Sequence, residues 1–168
     1  MVTESTLILN AEQIAHKVRR MAYEILEKNY GYQSIVLAGI KGQGYALASL
    51  LHEELVAMGG IKSTLACITL TKHAQTQPEV HLDLALHNSH QEVVVVVDDV
   101  LLSGKTLLHA LQPFVQWELK KLQVAVLVDR NYATYPIKAN YVGYALSTTI
   151  DEHVEVELMA ETKAVYLR

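Results

Sequence analysis

One cysteine, Cys67, stands among 168 residues, which excludes an internal disulfide and fits a reducing, cytoplasmic setting. Its apolar neighbours suit a buried structural thiol better than a nucleophile. No uninterrupted apolar run reaches the roughly 20 residues that a membrane-spanning helix needs, and the start of the chain, with acidic Glu4, has no signal-peptide pattern. Positive charge is in deficit. With 14 Lys and Arg against 18 Asp and Glu the net charge is -4, so no overall basic field draws in nucleic acid, and any such site has to be a local patch. Low-complexity segments and internal repeats are also missing.

What remains is the composition of one globular domain, 1–168, with 51% hydrophobic and 19% charged residues and enough chain to bury a sizeable core. Its most informative stretch runs from Val93 to Thr106. The valine run reads as a strand buried on both faces, as in a parallel sheet covered by helices, and Asp98 and Asp99 sit where that strand is expected to end. A short loop, Leu102-Ser103-Gly104-Lys105-Thr106, then leads into helix-like sequence. Ser103 and Thr106 offer hydroxyls, Gly104 lets the backbone turn sharply, and successive N–H groups ahead of a helix make an anion cradle. Such a cradle suits a phosphate. The two carboxylates, repelled from the same spot, suit the vicinal hydroxyls of a ribose or Mg²⁺ held directly or through water. The order implies a site for a phosphorylated sugar.

The rest of the chain reads as α/β. Asn10 and Gln13 form a capping box ahead of a helix whose apolar positions run from Ile14 to Leu26, with Gly31 as a stop; its polar face carries His16, Lys17, Arg19, Arg20 and Lys28. Ser34 to Ile40 reads as a strand, and a helix is expected from about Tyr45 to Met58. Between them, Lys41-Gly42-Gln43-Gly44 reads either as a plain tight turn or as a diphosphate loop with Lys41 as its charge. Lys62 to Leu70 is a third strand. The long polar segment Thr71 to Glu92 suits a lid, and its histidines match no common metal-ligand spacing; Asp83 to Leu86 is expected as a short returning strand. Pro113 is expected to kink or end the helix after the loop. Lys121 to Val128 is a core strand ending at Asp129-Arg130, which read as an ion pair or as lining for a ligand pocket at the sheet's C-terminal edge. His153 to Met159 and Lys163 to Leu167 alternate as closing strands, expected to add antiparallel to the sheet.

Val94 to Thr106 resembles the thirteen-residue phosphoribosyl pyrophosphate (PRPP) signature of the type I phosphoribosyltransferases. Ile40 to Gly44, Ala125 to Arg130 and Tyr135 to Gly143 resemble, in order and spacing, the bifunctional pyrimidine-operon attenuator/uracil phosphoribosyltransferases, over nearly the whole chain from about Leu7. The resemblance implies a mostly parallel sheet flanked by helices, with a hood from about 130–150 plus N-terminal residues. It implies transfer of ribose 5-phosphate from PRPP to a nucleobase, uracil foremost, giving UMP and pyrophosphate with Mg²⁺. The alternatives are a uridine-nucleotide-sensing regulator that binds RNA, and a purine phosphoribosyltransferase. It assigns the 5′-phosphate to Leu102, Ser103, Gly104, Lys105 and Thr106, the ribose, metal and catalysis to Asp98 and Asp99, and the diphosphate to Lys41, Gly42, Gln43 and Gly44. The base falls to Asp129, Arg130, Tyr141 as a stacking ring and the backbone of Val142, and Lys72 is the basic residue of the flexible loop. The family usually has Arg at Gln43, so weaker diphosphate binding or a substitute charge is expected here. The first helix is the family's mRNA-binding region, where its Thr and His are replaced by Arg19 and Tyr23. A dimer or larger homo-oligomer is expected.

Overall fold

The structure, a computed structural model, describes residues 5–71, 79–83 and 93–168. Its elements in chain order are β1 (Thr6–Leu9), α1 (Ala11–Lys28), β2 (Ser34–Ile40), α2 (Gln43–Met58), β3 (Lys62–Thr71), β4 (Glu79–Leu82), β5 (Val93–Leu101), α3 (Lys105–Val115), β6 (Lys121–Asp129), β7 (Tyr141–Ala145), β8 (Val154–Glu157) and β9 (Ala164–Leu167). The valine strand β5 lies inside a six-stranded sheet of order β4-β3-β2-β5-β6-β7, in which only the β3–β4 pair is antiparallel. Val93, Val95 and Val97 pack into the core under α1 and α2, while Val94 and Val96 pack with Leu107, Ala110 and Phe114 of α3. Both faces of β5 are therefore apolar, which is why its period of two is invisible in the sequence.

Local chemistry accounts for the helices. Asn10 Oδ1 accepts from Gln13 N, and Gln13 Oε1 accepts from Asn10 N, both at 2.9 Å, so α1 starts on the expected capping box. It ends at Asn29, just ahead of Gly31 with its φ of 91°. α2 lies directly on the strand before it: a Cβ on Gly39 would fall 2.6 Å from Tyr45 Cα. α3 runs two residues past Pro113 and then stops. Proline cannot donate to the carbonyl four residues back and its ring crowds that carbonyl, in keeping with a helix that ends within a turn of it.

Three expectations need correction. β5 does not end at the acidic pair; it stays paired with β6 through Leu101↔Asp129 and carries both acids within it. The returning strand antiparallel to β3 is Glu79–Leu82, ahead of the expected Asp83 start, and 84–86 lie outside the described residues. The closing strands β8 and β9 do not extend the large sheet. With β1 they make a separate antiparallel sheet of order β1-β9-β8, so the two ends of the chain pair with each other. Within residues 130–150, β7 pairs parallel with β6 at the edge of the large sheet. Val154, Val156, Leu158 and Val165 join the α1/α2 core, which seats the small sheet beside the C-terminal end of β5.

Candidate active site at the rim of the large sheet

Two helix N-termini converge on the acidic pair. α3 starts at Gly104, whose φ of 86° is left-handed, and α2 starts at Gly42, with φ of 98°; neither has a side-chain cap. The first N–H groups of a helix have no partner within it and carry its positive dipole end. In α1 the capping box meets one of them, Gln13 N; at α2 and α3 no N-cap side chain does so. At α3 one is partly engaged, since Lys105 N donates to Ser103 Oγ at 3.2 Å. The close approach is built from glycine. A Cβ on Gly44 would lie 2.9 Å from Val97 O and 3.0 Å from Asp98 Oδ1, so only glycine lets α2 begin against the acids. A Cβ on Gly104 would lie 3.0 Å from Ile137 Cβ, and Ser103 O accepts from both Thr134 N and Tyr135 N, so the 134–137 segment holds the loop from outside.

β5 continues through both acids, and they border different cavities at the rim. Asp98 lines a cavity of about 140 Å³ with Leu102, Ser103, Gly104 and Thr106. Asp99 lines a neighbouring one of about 320 Å³ with Arg130, His153 and Glu155, and Val100 and Leu102 border both. Asp98 Oδ1 accepts from Asp99 N at 3.0 Å. Burial first, and then the Asp99 charge, push the Asp98 carboxyl well above its ordinary value. A divalent cation shared by the pair would relieve that repulsion. Among the described residues no three His, Cys, Asp or Glu side chains form a ready cage. The remaining ligands of such a cation would be substrate and water oxygens, the usual habit of Mg²⁺, so the residues present fit it.

The other expected residues divide. Lys41 and Gly42 stand at the start of α2, and Lys41 N donates to Ile68 O at 2.8 Å. The Gln43 side chain turns away to the small sheet, where its Oε1 accepts from Leu158 N at 2.7 Å. Asp129 Oδ1 accepts from Asn131 N, supporting the left-handed turn at Asn131, φ 54°. Arg130, 5% exposed, donates to Thr148 Oγ1 and to the carbonyls of Thr149 and Glu152. It borders the larger cavity while pinning the 148–152 loop, and among the described residues no ion pair joins it to Asp129.

Tyr141 does not stack on a ligand. It is wholly enclosed, with its hydroxyl in a buried network with Asn29 and Gln123, and its ring is covered by Lys28 at 4.9 Å. Val142 pairs with Val126, three residues before the rim, and its carbonyl accepts from Arg20 at 3.1 Å, so its backbone reads no base edge. Both were drawn to the pocket by their place in the sequence block, whereas the strand register puts them inside the sheet. Lys72 lies outside the described residues. Cys67 is only half-buried rather than enclosed, and burial and then Asp83 raise its thiol above the ordinary value. His153 and Glu155, walls of the larger cavity, were missed, since strand alternation does not say which cavity a face borders.

The phosphoribosyl transferase domain family matches residues 5–161. Similar relatives carry the name bifunctional protein PyrR. That of Alkaliphilus metalliredigens is 36% identical over 164 residues, 93% of this chain and 90% of the relative. That of Leuconostoc mesenteroides is 32% identical, covering 89% of each. Among solved structures, a hypoxanthine-guanine phosphoribosyltransferase from Bacillus anthracis superposes with a TM-score of 0.71 at 23% identity, covering 89% of this chain and 86% of that one. A hypoxanthine phosphoribosyl transferase from Trypanosoma cruzi gives 0.73 at 18%, covering 86% and 79%. At such identities these two show the fold alone. With its fold, its uncapped helix starts around two acids and its relatives agreeing, the chain belongs to the phosphoribosyltransferase domain family, among the relatives of the bifunctional PyrR proteins.

Proposed function

We propose that the protein transfers ribose 5-phosphate from PRPP to uracil, giving UMP and pyrophosphate. The observation that carries this reading is the pair of uncapped helix starts on either side of Asp98 and Asp99. One cradle takes the 5′-phosphate through Leu102, Ser103, Gly104, Lys105 and Thr106. The other takes the diphosphate through the N–H groups of Gly42, Gln43 and Gly44, with Lys41 as the side-chain charge. The carboxylates between them hold the ribose hydroxyls. Asp98 and Asp99 would hold Mg²⁺, which supplies charge neutralisation for the diphosphate as it leaves.

The base occupies the larger cavity beside β8. Its N1 forms the bond to C1 of the ribose as the C1–O bond breaks, and pyrophosphate leaves with the electron pair. Of the two carboxylates lining that cavity, Glu155 is engaged by Arg168 Nε at 2.6 Å, which leaves Asp99 to receive the proton lost from N1. Uracil is favoured by the likeness to the PyrR relatives and by the Tyr135 to Gly143 block. Pure protein incubated with PRPP, Mg²⁺ and each base in turn tests this. UMP from uracil is expected; nucleotide from hypoxanthine or guanine alone would move the assignment to a purine enzyme, and no product from any base would end it.

A second reading, regulation through RNA, is favoured by the exposed basic residues of α1 and by the chain's resemblance to the pyrimidine-operon attenuators. The surface for it is α1, with His16 and Arg19 exposed; Lys17, Arg20 and Lys28 are engaged with Tyr144, with β7 and with Asn140. Pyrimidine leader RNA should bind with an affinity that falls as salt rises and that weakens in Arg19→Ala; salt-independent retention would count against α1 as the contact.

A further inference from the structure

Gln43 lies at the first position of α2, in the loop read above as the diphosphate cradle, yet its side chain serves another element. Its Oε1 accepts from Leu158 N at 2.7 Å across 115 positions of sequence. Leu158 follows the last residue of β8, past the end of the β8–β9 ladder at Glu157↔Ala164, and is 4% exposed. Its N–H is therefore buried where the ladder no longer supplies an acceptor, and the Gln43 amide supplies one. β8 forms one wall of the larger cavity through Val154, Glu155 and Val156, with His153 just before it. On its other side the same loop touches the acids, since Gly44 leaves no room for a Cβ against Asp98. One backbone segment is thus held between the acidic pair and the wall of the base cavity, and Gln43 is its tie to that wall.

We propose that Gln43 is a positioning residue that couples the diphosphate loop to β8, so that pyrophosphate bound at residues 41–44 tightens nucleotide binding in the cavity beside β8. Pyrophosphate held by the N–H groups at the start of α2 fixes that start, and the Gln43 amide passes the constraint to Leu158. The proposal rests on the phosphoribosyltransferase reading of the two cavities, and it concerns an energetic link rather than a contact with substrate. An arginine at this position is a donor only and cannot accept from Leu158 N. A glutamate keeps the acceptor but adds negative charge beside a diphosphate.

The test is calorimetric titration of UMP with and without saturating magnesium pyrophosphate, in the wild type and in Gln43→Ala, Gln43→Arg and Gln43→Glu. The wild type is expected to bind UMP roughly fivefold or more tightly with pyrophosphate present, within the usual range of coupling between sites. That factor should fall to about one in Gln43→Ala and Gln43→Arg. In Gln43→Glu it should survive while the KM for PRPP rises, a combination that general loosening of the fold would not give. An unchanged factor in Gln43→Ala, or loss of it in Gln43→Glu as well, overturns the proposal. If the wild type binds no UMP, the functional reading has failed, and amide exchange decides the coupling separately. Magnesium pyrophosphate should then slow exchange of the Leu158 N–H in the wild type and Gln43→Glu but not in Gln43→Ala; no slowing in the wild type overturns it.

Discussion

Asp98 is the residue where function and stability oppose each other. Its carboxyl is pushed up by burial and by Asp99, so the folded protein holds that proton to higher pH than the unfolded chain does. An acid of this kind weakens the fold as pH rises from the ordinary carboxylate value, about 3.9, toward the raised one, and below that window it has no effect. Asp98→Asn removes the penalty. The melting temperature of the unliganded variant should match the wild type near the bottom of the window and exceed it at neutral pH. Each kcal/mol relieved is worth about 2–4 °C in a chain of this size. A difference independent of pH would show that the carboxyl is not strained. Asp98→Asn combined with Asp99→Asn should abolish PRPP binding by calorimetry while the circular dichroism spectrum is kept. Unaltered affinity would remove these acids from the site.

Among the elements, the start of α2 is set by contact rather than by capping. Gly44→Ala puts a methyl group 2.9 Å from Val97 O and 3.1 Å from Asp98 Cα, both backbone atoms that cannot swing aside. Overpacking of this kind costs about 1–3 kcal/mol, and the shift falls on Asp98. Urea unfolding should show the loss, and PRPP affinity should drop with it; a variant of wild-type stability and affinity would mean that α2 does not seat against the acids. α1 is fixed differently. Arg20 donates to Val142 O and Gly143 O and pairs with Glu24, while Arg19 is exposed. Arg20→Ala should lower stability by about 1–2 kcal/mol, at the low end for charged donors because the group is half exposed, and Arg19→Ala by less than about 0.5. Matching denaturant midpoints for the two variants would contradict this division of the basic face into a structural part and a free part.

At the scale of the whole molecule, the small sheet depends on both ends of the chain. β1 pairs with β9, and Leu9 is 3% exposed in the core. Removing residues 1–9 leaves two strands, and a two-stranded hairpin is marginal alone. Loss of the buried Leu9 alone is worth roughly 2–5 kcal/mol. Amide exchange over 154–167 should quicken, and UMP affinity should fall further than PRPP affinity, because β8 walls only the larger cavity. Equal loss of both would mean that the small sheet supports the whole rim rather than one side of it.

Much of this was legible one residue at a time. The capping box at Asn10 and Gln13, the strand Ser34–Ile40, the valine strand and the glycine-hydroxyl loop after it are local patterns, and the chemistry of backbone turns and helix ends dictates them wherever they occur. The α/β class and the order of site segments therefore follow from the sequence by itself. Only the tertiary structure decided where β5 ends, because its last residues are held by β6, a partner distant in sequence. That extension keeps Asp98 and Asp99 inside the strand, each at the edge of its own cavity. Register likewise decided that Tyr141 belongs to the core, and chain closure decided that β1, β8 and β9 leave the large sheet. Gln43 shows the difference most plainly: its place in the loop is written in the sequence, but a flexible amide takes whichever donor the fold brings near, and here that donor is Leu158 N.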